Sequence, residues 1–270
     1  MDLSRKLRFD DHFRSQYEKL FALDPDGEYE ILEIGCGTGA LAAALRRWYP
    51  RAKITALDRD SRFIEYARAN VPGVEFIEGD AGHLPFEGET FDVTISNTVQ
   101  EHVEPAAFWG EQRRVLKPGG ICLCLSSRKG LRARAECLEM TEAEKEFWEN
   151  IPEDEADLAA YGVGAYAVSE AGLPSVMEAY GFTGVTAGYA IADLTPDDPK
   201  YPPEMAEAMI EADRYNDIEA ILSAHSDHDE QALQAVREKY DRRLSLYRQG
   251  RKLWDTSVQV IMTVRGVKSV

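Results

Sequence analysis

The chain is poor in several things, and each shortage excludes something. No apolar run approaches the roughly 20 residues of a membrane-spanning helix, and charged residues interrupt every candidate, so no membrane span is expected. Basic residues are scarce: 31 Lys and Arg stand against 48 Asp and Glu, a net charge of −17. Nucleic-acid binders draw most of their affinity from neutralising phosphates with Lys and Arg, so no nucleic-acid partner is expected. There are four cysteines, Cys36, Cys122, Cys124 and Cys137, with neither the spacing of a disulfide framework nor a Cys/His set for zinc, so no metal is expected. They read as small buried residues of a reducing compartment. The opening "MDLSRKLRFDDHF" lacks the apolar stretch and cleavage site of a signal peptide, which predicts a cytoplasmic chain. Internal repeats and low-complexity tracts are also missing.

What is present is alternation. Residues 3–23 carry Leu3, Leu7, Phe13, Tyr17, Leu20 and Phe21 near one face and read as an amphipathic helix. Strand "YEILEI" precedes a helix over Thr38–Tyr49. Strand "KITALD" precedes a helix over Ser61–Asn70 that Asp60 can cap. "VEFIEG" leads into a loop, "FDVTISN" into a helix over Val103–Leu116, and "GGICLCLSS" follows. Strands alternating with helices at this pitch imply a parallel sheet covered on both faces. Residues 130–160 read as charged helix. "VSEAGLPSVMEAYGF" reads as a helix with Ser169 as cap and Gly181 as stop, and "TGVTAGYAIAD" as a strand. A proline-rich connector then opens a helical stretch over about 203–252, before the closing strand "TSVQVIMTVRG".

"ILEIGCGTGALAAAL" (Ile31 to Leu45) passes from strand through alternating glycines into helix. In an open parallel sheet, ligands bind beyond the carboxyl ends of the strands. A glycine turn there lets a ligand approach the backbone and aims the next helix's N-terminus at it. Dinucleotide folds use G-x-G-x-x-G. Here Gly35, Gly37 and Gly39 are two apart, with Ala40 at the dinucleotide third position, so spacing alone leaves that alternative open.

The surrounding blocks add a family resemblance. An acidic residue followed by G-x-G-x-G resembles the first motif of class I S-adenosylmethionine-dependent methyltransferases. "ITALDRD", "FIEGDAGHLPF", "FDVTISNTVQEHVEP" and "RVLKPGGICLCL" are similar to its later blocks, in order, over about residues 29–126 and more faintly over 165–190. The resemblance implies an α/β fold: a doubly wound, mostly parallel seven-stranded sheet with helices on both faces. It implies a methyltransferase domain over 25–192 and 253–270 and a helical N-terminal segment (1–24) over the cofactor pocket; the helical insertion before the last strand, over 193–252, is this chain's departure from the pattern.

It also implies S-adenosyl-L-methionine as cofactor and assigns residues to it. Gly35, Cys36, Gly37 and Gly39 offer backbone amides to its carboxylate, with Glu33 holding its amino group or ordering the loop. Asp58, followed by Arg59, takes the position of the acid that accepts from both ribose hydroxyls. Asp80 and Ala81 meet the adenine, and Asn97 ends the fourth strand near the methyl-transfer point.

The expected reaction is in-line methyl transfer to an O, N, C or S atom of a small molecule. The block "SNTVQEH" lacks the Asn/Asp-Pro-Pro-aromatic motif of enzymes that methylate base or glutamine amines. His102 is the candidate base; the other reading is an ordinary histidine near a helix start. His12 is a more distant candidate, and His225 and His228 admit either metal ligation or a polar turn. Arg128, Lys129, Arg132 and Arg134 could receive an anionic acceptor or form a solvated helix face. Phe147, Trp148, Tyr161 and Tyr166 could line a pocket or fill core. Leu233, Val236, Tyr240, Leu244, Tyr247 and Trp254 mark an apolar stripe along the insertion, suited to a lid, a homodimer contact or an extra layer. Two further functions stay open: a protein that binds the cofactor without catalysing, and a methyltransferase acting on a protein.

Overall fold

The structure is a computed structural model and describes residues 2–150, 164–224 and 230–269. Tyr161, His225 and His228 lie outside the described residues. In chain order come α1 (Asp2–Arg8), α2 (Arg14–Phe21), β1 (Glu30–Ile34), α3 (Ala40–Trp48), β2 (Lys53–Asp58), α4 (Ser61–Asn70), β3 (Glu75–Glu78), β4 (Phe91–Asn97), α5 (Pro105–Val115) and β5 (Leu116–Ala133). These are followed by α6 (Glu142–Glu149), α7 (Gly172–Ala179), β6 (Phe182–Leu194), α8 (Pro203–Ser223), α9 (Glu230–Arg248) and β7 (Thr256–Lys268). The strands form one seven-stranded sheet in the order β3-β2-β1-β4-β5-β7-β6. It is mostly parallel with one antiparallel hairpin, as the resemblance implied. Among the described residues no helix is long and apolar enough to cross a membrane.

The chain divides into two compact units. The first comprises Phe9–Arg128, Glu155–Ile191 and Val260–Val270. In it β1 pairs in parallel with β2 (Ile34 opposite Leu57) and with β4 (Ile34 opposite Ser96). One core cluster joins Leu32, Ile34, Phe108, Trp109, Cys122, Leu173 and Met262, and a second joins Cys36, Ile64, Ala67 and Phe76. α4 begins where its cap predicts, with the Asp60 carboxylate accepting from the Arg62 amide. β6 is an edge strand with no charged residue from Phe182 to Ala192. At its Ile191 the Gln16 side-chain amide both donates to the carbonyl (3.0 Å) and accepts from the N–H (2.9 Å), as a neighbouring strand would.

The second unit comprises Met1–Arg8, Lys129–Asp154 and Ala192–Gln259. Its core joins Leu138 and Phe147 to Ile210, Ile221, Leu233, Val236, Tyr240 and Leu244. Buried charges are matched within it. The Arg243 guanidinium, fully buried, donates to Asp197 (2.9 Å) and Asp255 (2.8 Å), and Lys239 pairs with Glu144.

Several expectations need correction. Residues 3–23 are not one helix: Asp10 takes an extended conformation and caps a short 3-10 turn, Asp11–Phe13, between α1 and α2. Tyr17 of α2 stacks on Trp48 at the C-terminal end of α3 (ring centroids 5.4 Å apart). Residues 130–133 continue β5 rather than opening a helix. A Cβ on Gly130 would lie 1.8 Å from the Val258 carbonyl oxygen, so backbone meets backbone there. The basic run lies along and just past β5 rather than on a helix, and Arg134 makes a two-pronged pair with Asp217 (2.8 and 2.9 Å) while Arg132 reaches Asp213 (3.4 Å). Phe147 is core and Trp148 partly exposed. Trp254 leaves the stripe of α9, with φ +58° and 54 % exposure. His12 sits exposed in the 3-10 turn beside Asp10.

Candidate functional site

The strand order reverses between β1 and β4, whose carboxyl ends lie in register. The turn after β1 is anchored to the end of β2. Gly35 and Cys36 both donate their amides to the Leu57 carbonyl (2.7 and 2.9 Å). Gly37 donates to Asp58 Oδ2 (2.7 Å), and Asp58 Oδ1 accepts from the Asp60 amide (3.0 Å). Asp58 thus ties the glycine turn to the loop that starts α4. Each carboxylate oxygen keeps a second lone pair for a ligand hydroxyl.

Glycine is required at two places in this turn. Gly35 has φ +71°, and a Cβ would stand 2.3 Å from Val99 Cγ2. Gly39 has φ +82° and faces Phe76 and Ala67 at 3.1 and 3.3 Å. Gly39 is therefore the cap of α3, which starts at Ala40 rather than Thr38, and no side chain caps it. The first-turn amides of α3 are left to a ligand or solvent, a setting that favours an anion.

Other strand ends close the site. Gly79 donates to the Asp58 carbonyl (2.9 Å), fixing the end of β3 to β2. Asp80 follows it; its carboxylate accepts from the Gly82 amide (2.8 Å), its side chain is largely exposed, and Ala81 packs against the core. Glu33 is buried within β1, between Ala56 and Ile95. Arg59 faces solvent. Asn97 ends β4 opposite Leu125. Thr98 follows with φ +56°, a strained geometry for a β-branched residue. It is held by its amide on the Leu125 carbonyl (2.9 Å) and its hydroxyl on the Asn97 carbonyl (2.6 Å).

Among the polar atoms here that are buried and unpartnered are Thr38 Oγ1 and Asn97 Oδ1. Buried polar atoms are normally hydrogen-bonded, and such exceptions mark places where a ligand completes the set. Uncapped helix amides, a carboxylate with spare lone pairs and two orphaned oxygens fit a ligand bearing a carboxylate, a diol and N–H donors. Thiol chemistry does not fit. Burial pushes the Cys36 thiol far up, and the Glu33 and Asp58 carboxylates add to the shift.

Most of the predicted residues therefore converge on these strand ends. His102 is held differently: it is exposed, and its Nδ1 accepts from the Gly164 amide (2.9 Å). Sequence reasoning missed Thr38, Val99 and Gln100. A hydroxyl residue between two glycines before a helix is a readable signal for Thr38; Val99 has none, since only the fold sets it against Gly35.

Residues 32–124 match a family described as methyltransferase domain. A fatty-acid O-methyltransferase of Mycolicibacterium smegmatis is 39 % identical over 109 residues, 39 % of each chain. A ubiquinone/menaquinone biosynthesis C-methyltransferase of Desulfotalea psychrophila is 36 % identical over 107 residues, 38 % of this chain and 43 % of the other. The chain thus matches about two-fifths of the length of these relatives. Among solved structures, a phosphoethanolamine N-methyltransferase of Haemonchus contortus in complex with S-adenosyl-L-methionine superposes with TM-score 0.54 at 16 % identity, covering 96 % of this chain and 53 % of that one. That likeness concerns the fold alone.

Proposed function

We propose that this chain, whose residues 32–124 match a methyltransferase domain, is an S-adenosylmethionine-dependent enzyme of class I that transfers a methyl group to a nucleophilic atom of a small-molecule acceptor. The observation that carries this reading is the switch-point cradle: the glycine turn tied to Asp58, with Thr38 Oγ1 and Asn97 Oδ1 buried and awaiting partners. The amides of Gly35, Cys36, Gly37 and Gly39 and the start of α3 would receive the cofactor's carboxylate. Glu33 suits its amino group, Asp58 the ribose diol, and Asp80 with Ala81 the adenine. Arg59 flanks the ribose position from the solvent side.

When bound, S-adenosylmethionine supplies a methyl group on a positively charged sulfur, open to in-line displacement. The protein's share is to bind, to align the acceptor and to keep water out. Asn97, at the end of β4 and with its buried Oδ1 unpartnered, would stand near the methyl-transfer point. The relatives carry O- and C-methyltransferase names, so what they share is methyl transfer and not the acceptor atom.

Titration calorimetry with S-adenosylmethionine and S-adenosylhomocysteine tests the cofactor. A methyl-transfer screen over amines, phenols, carboxylates and thiols tests the reaction. Heat protection by NAD with none by S-adenosylhomocysteine would overturn the reading. Cofactor binding with no transfer to any small molecule would confine it to binding or to a protein acceptor.

A further inference from the structure

The 3-10 turn Gln100–His102 follows Asn97 and the strained Thr98 directly. On one side it rests on the cofactor turn, through Val99 against Gly35. On the other it is bonded to a distant stretch of the same unit. Gln100, 4 % exposed, donates its side-chain amide to the Tyr166 carbonyl (2.9 Å). The Tyr166 amide donates to the Glu101 carbonyl (3.0 Å). His102 Nδ1 accepts from the Gly164 amide (2.9 Å). Within β5, Arg128 donates to the Val168 carbonyl (3.1 Å). Residues 164–168 are thus fastened through their backbone to the turn that follows β4 and to β5. The Tyr166 side chain is left 38 % exposed and takes no part in the fastening.

The bond to Gly164 also fixes the chemistry of His102. An amide N–H can only donate, so Nδ1 must present its lone pair. A neutral imidazole has one such lone pair; its proton then sits on Nε2. To take a proton from an acceptor, His102 would have to release Gly164.

We propose, building on the methyl-transfer reading, that His102 is a positioning residue: with Gln100 it pins residues 164–168 as one wall of the acceptor site, and Tyr166 is the side chain that wall presents to the acceptor. His102 then influences turnover through Gly164 and Tyr166 and does not handle the acceptor's proton.

The test compares His102→Ala with His102→Asn in the full chain. An asparagine Oδ1 stands close to where Nδ1 stands and accepts the same bond, yet it cannot serve as a base. Hydrogen exchange at the Gly164 and Tyr166 amides needs no acceptor. Loss of one hydrogen bond predicts exchange about tenfold faster in His102→Ala and near wild type in His102→Asn. Affinity for S-adenosylhomocysteine should be unchanged in both, since the cofactor turn is intact. With an acceptor from the screen, His102→Ala should raise KM while His102→Asn restores it, and Tyr166→Ala should raise KM with no change in exchange at Gly164. Two results overturn the proposal: unchanged exchange in His102→Ala, or a His102→Asn enzyme as inactive as His102→Ala with Gly164 still protected. Failure to bind S-adenosylhomocysteine in the wild type would instead remove the methyl-transfer reading, and the exchange data would still decide whether His102 holds the segment.

Discussion

Replacing Asp58 by asparagine removes the charge with almost no change in shape. In the native turn one carboxylate oxygen accepts from Gly37 and the other from Asp60. An asparagine amide has one acceptor oxygen and one NH2 group. Whichever way it turns, a backbone N–H faces another donor. A hydrogen bond to a charged group contributes about 1.5–3 kcal/mol, and Asp58 is only half-buried, so the lower end, about 1.5 kcal/mol, applies. Because Gly37 belongs to the turn proposed to receive the cofactor, the loss should appear in affinity as about a tenfold weakening. Asp58→Ala loses both internal bonds and the ribose acceptor together, so about a hundredfold weakening is expected. The stability of the first unit should fall as well, because the same bonds hold the end of β2 to the turn. Titration calorimetry with S-adenosylhomocysteine reads the affinity and thermal melting the stability. A 2′,3′-dideoxy analogue separates the two contributions: if Asp58 meets the ribose, Asp58→Ala should weaken the analogue less than the parent ligand. Wild-type affinity in both variants would remove Asp58 from the cofactor site. Equal weakening of parent and analogue would assign it to the turn alone.

Gly35→Ala places a methyl against Val99 at a backbone angle that costs about 1–3 kcal/mol; melting should show the loss, and Val99→Ala in the same chain should recover the steric part only. Arg243→Ala leaves Asp197 and Asp255 buried without their cation and should cost the second unit about 3–5 kcal/mol by urea unfolding, while Arg243→Met should cost less. Burial raises the thiols of Cys36, Cys122 and Cys124, the last to about 12, so all three are neutral at pH 8; native protein should resist iodoacetamide at these sites, and mass mapping should find them modified only after unfolding.

The legible part of this protein is the part set by local rules. Asp60 caps α4 at the residue where the sequence puts it, and Ser61–Asn70 follows. Gly35, Gly37 and Asp58 converge because strand ends in a parallel sheet lie side by side. What escaped reading depends on partners far away in the chain. β5 runs on past Gly130 because Val258 lies against it, more than a hundred residues later. Residues 129–154 fold with the insertion because Leu138 and Phe147 find their neighbours on α8 and α9. Glu144 reads as one more surface acid until Lys239 buries it. His102 reads as a base because its type and place suit one; the bond that its Nδ1 accepts comes from Gly164, and no spacing rule links the two.

The Gln16 amide at Ile191 bears on a different matter, how the open edge of the sheet is covered. β6 is long, uncharged and free of proline from Phe182 to Ala192, the composition that invites another chain to add a strand. The usual protections, an inward lysine or a proline, are missing from it. Protection comes instead from a side chain more than 170 residues away, which occupies the outward-facing N–H and C=O of Ile191 in the way an incoming strand would. Cover of this edge is therefore coupled to the docking of α2: wherever that helix detaches, the N–H and C=O of Ile191 are left open to another strand.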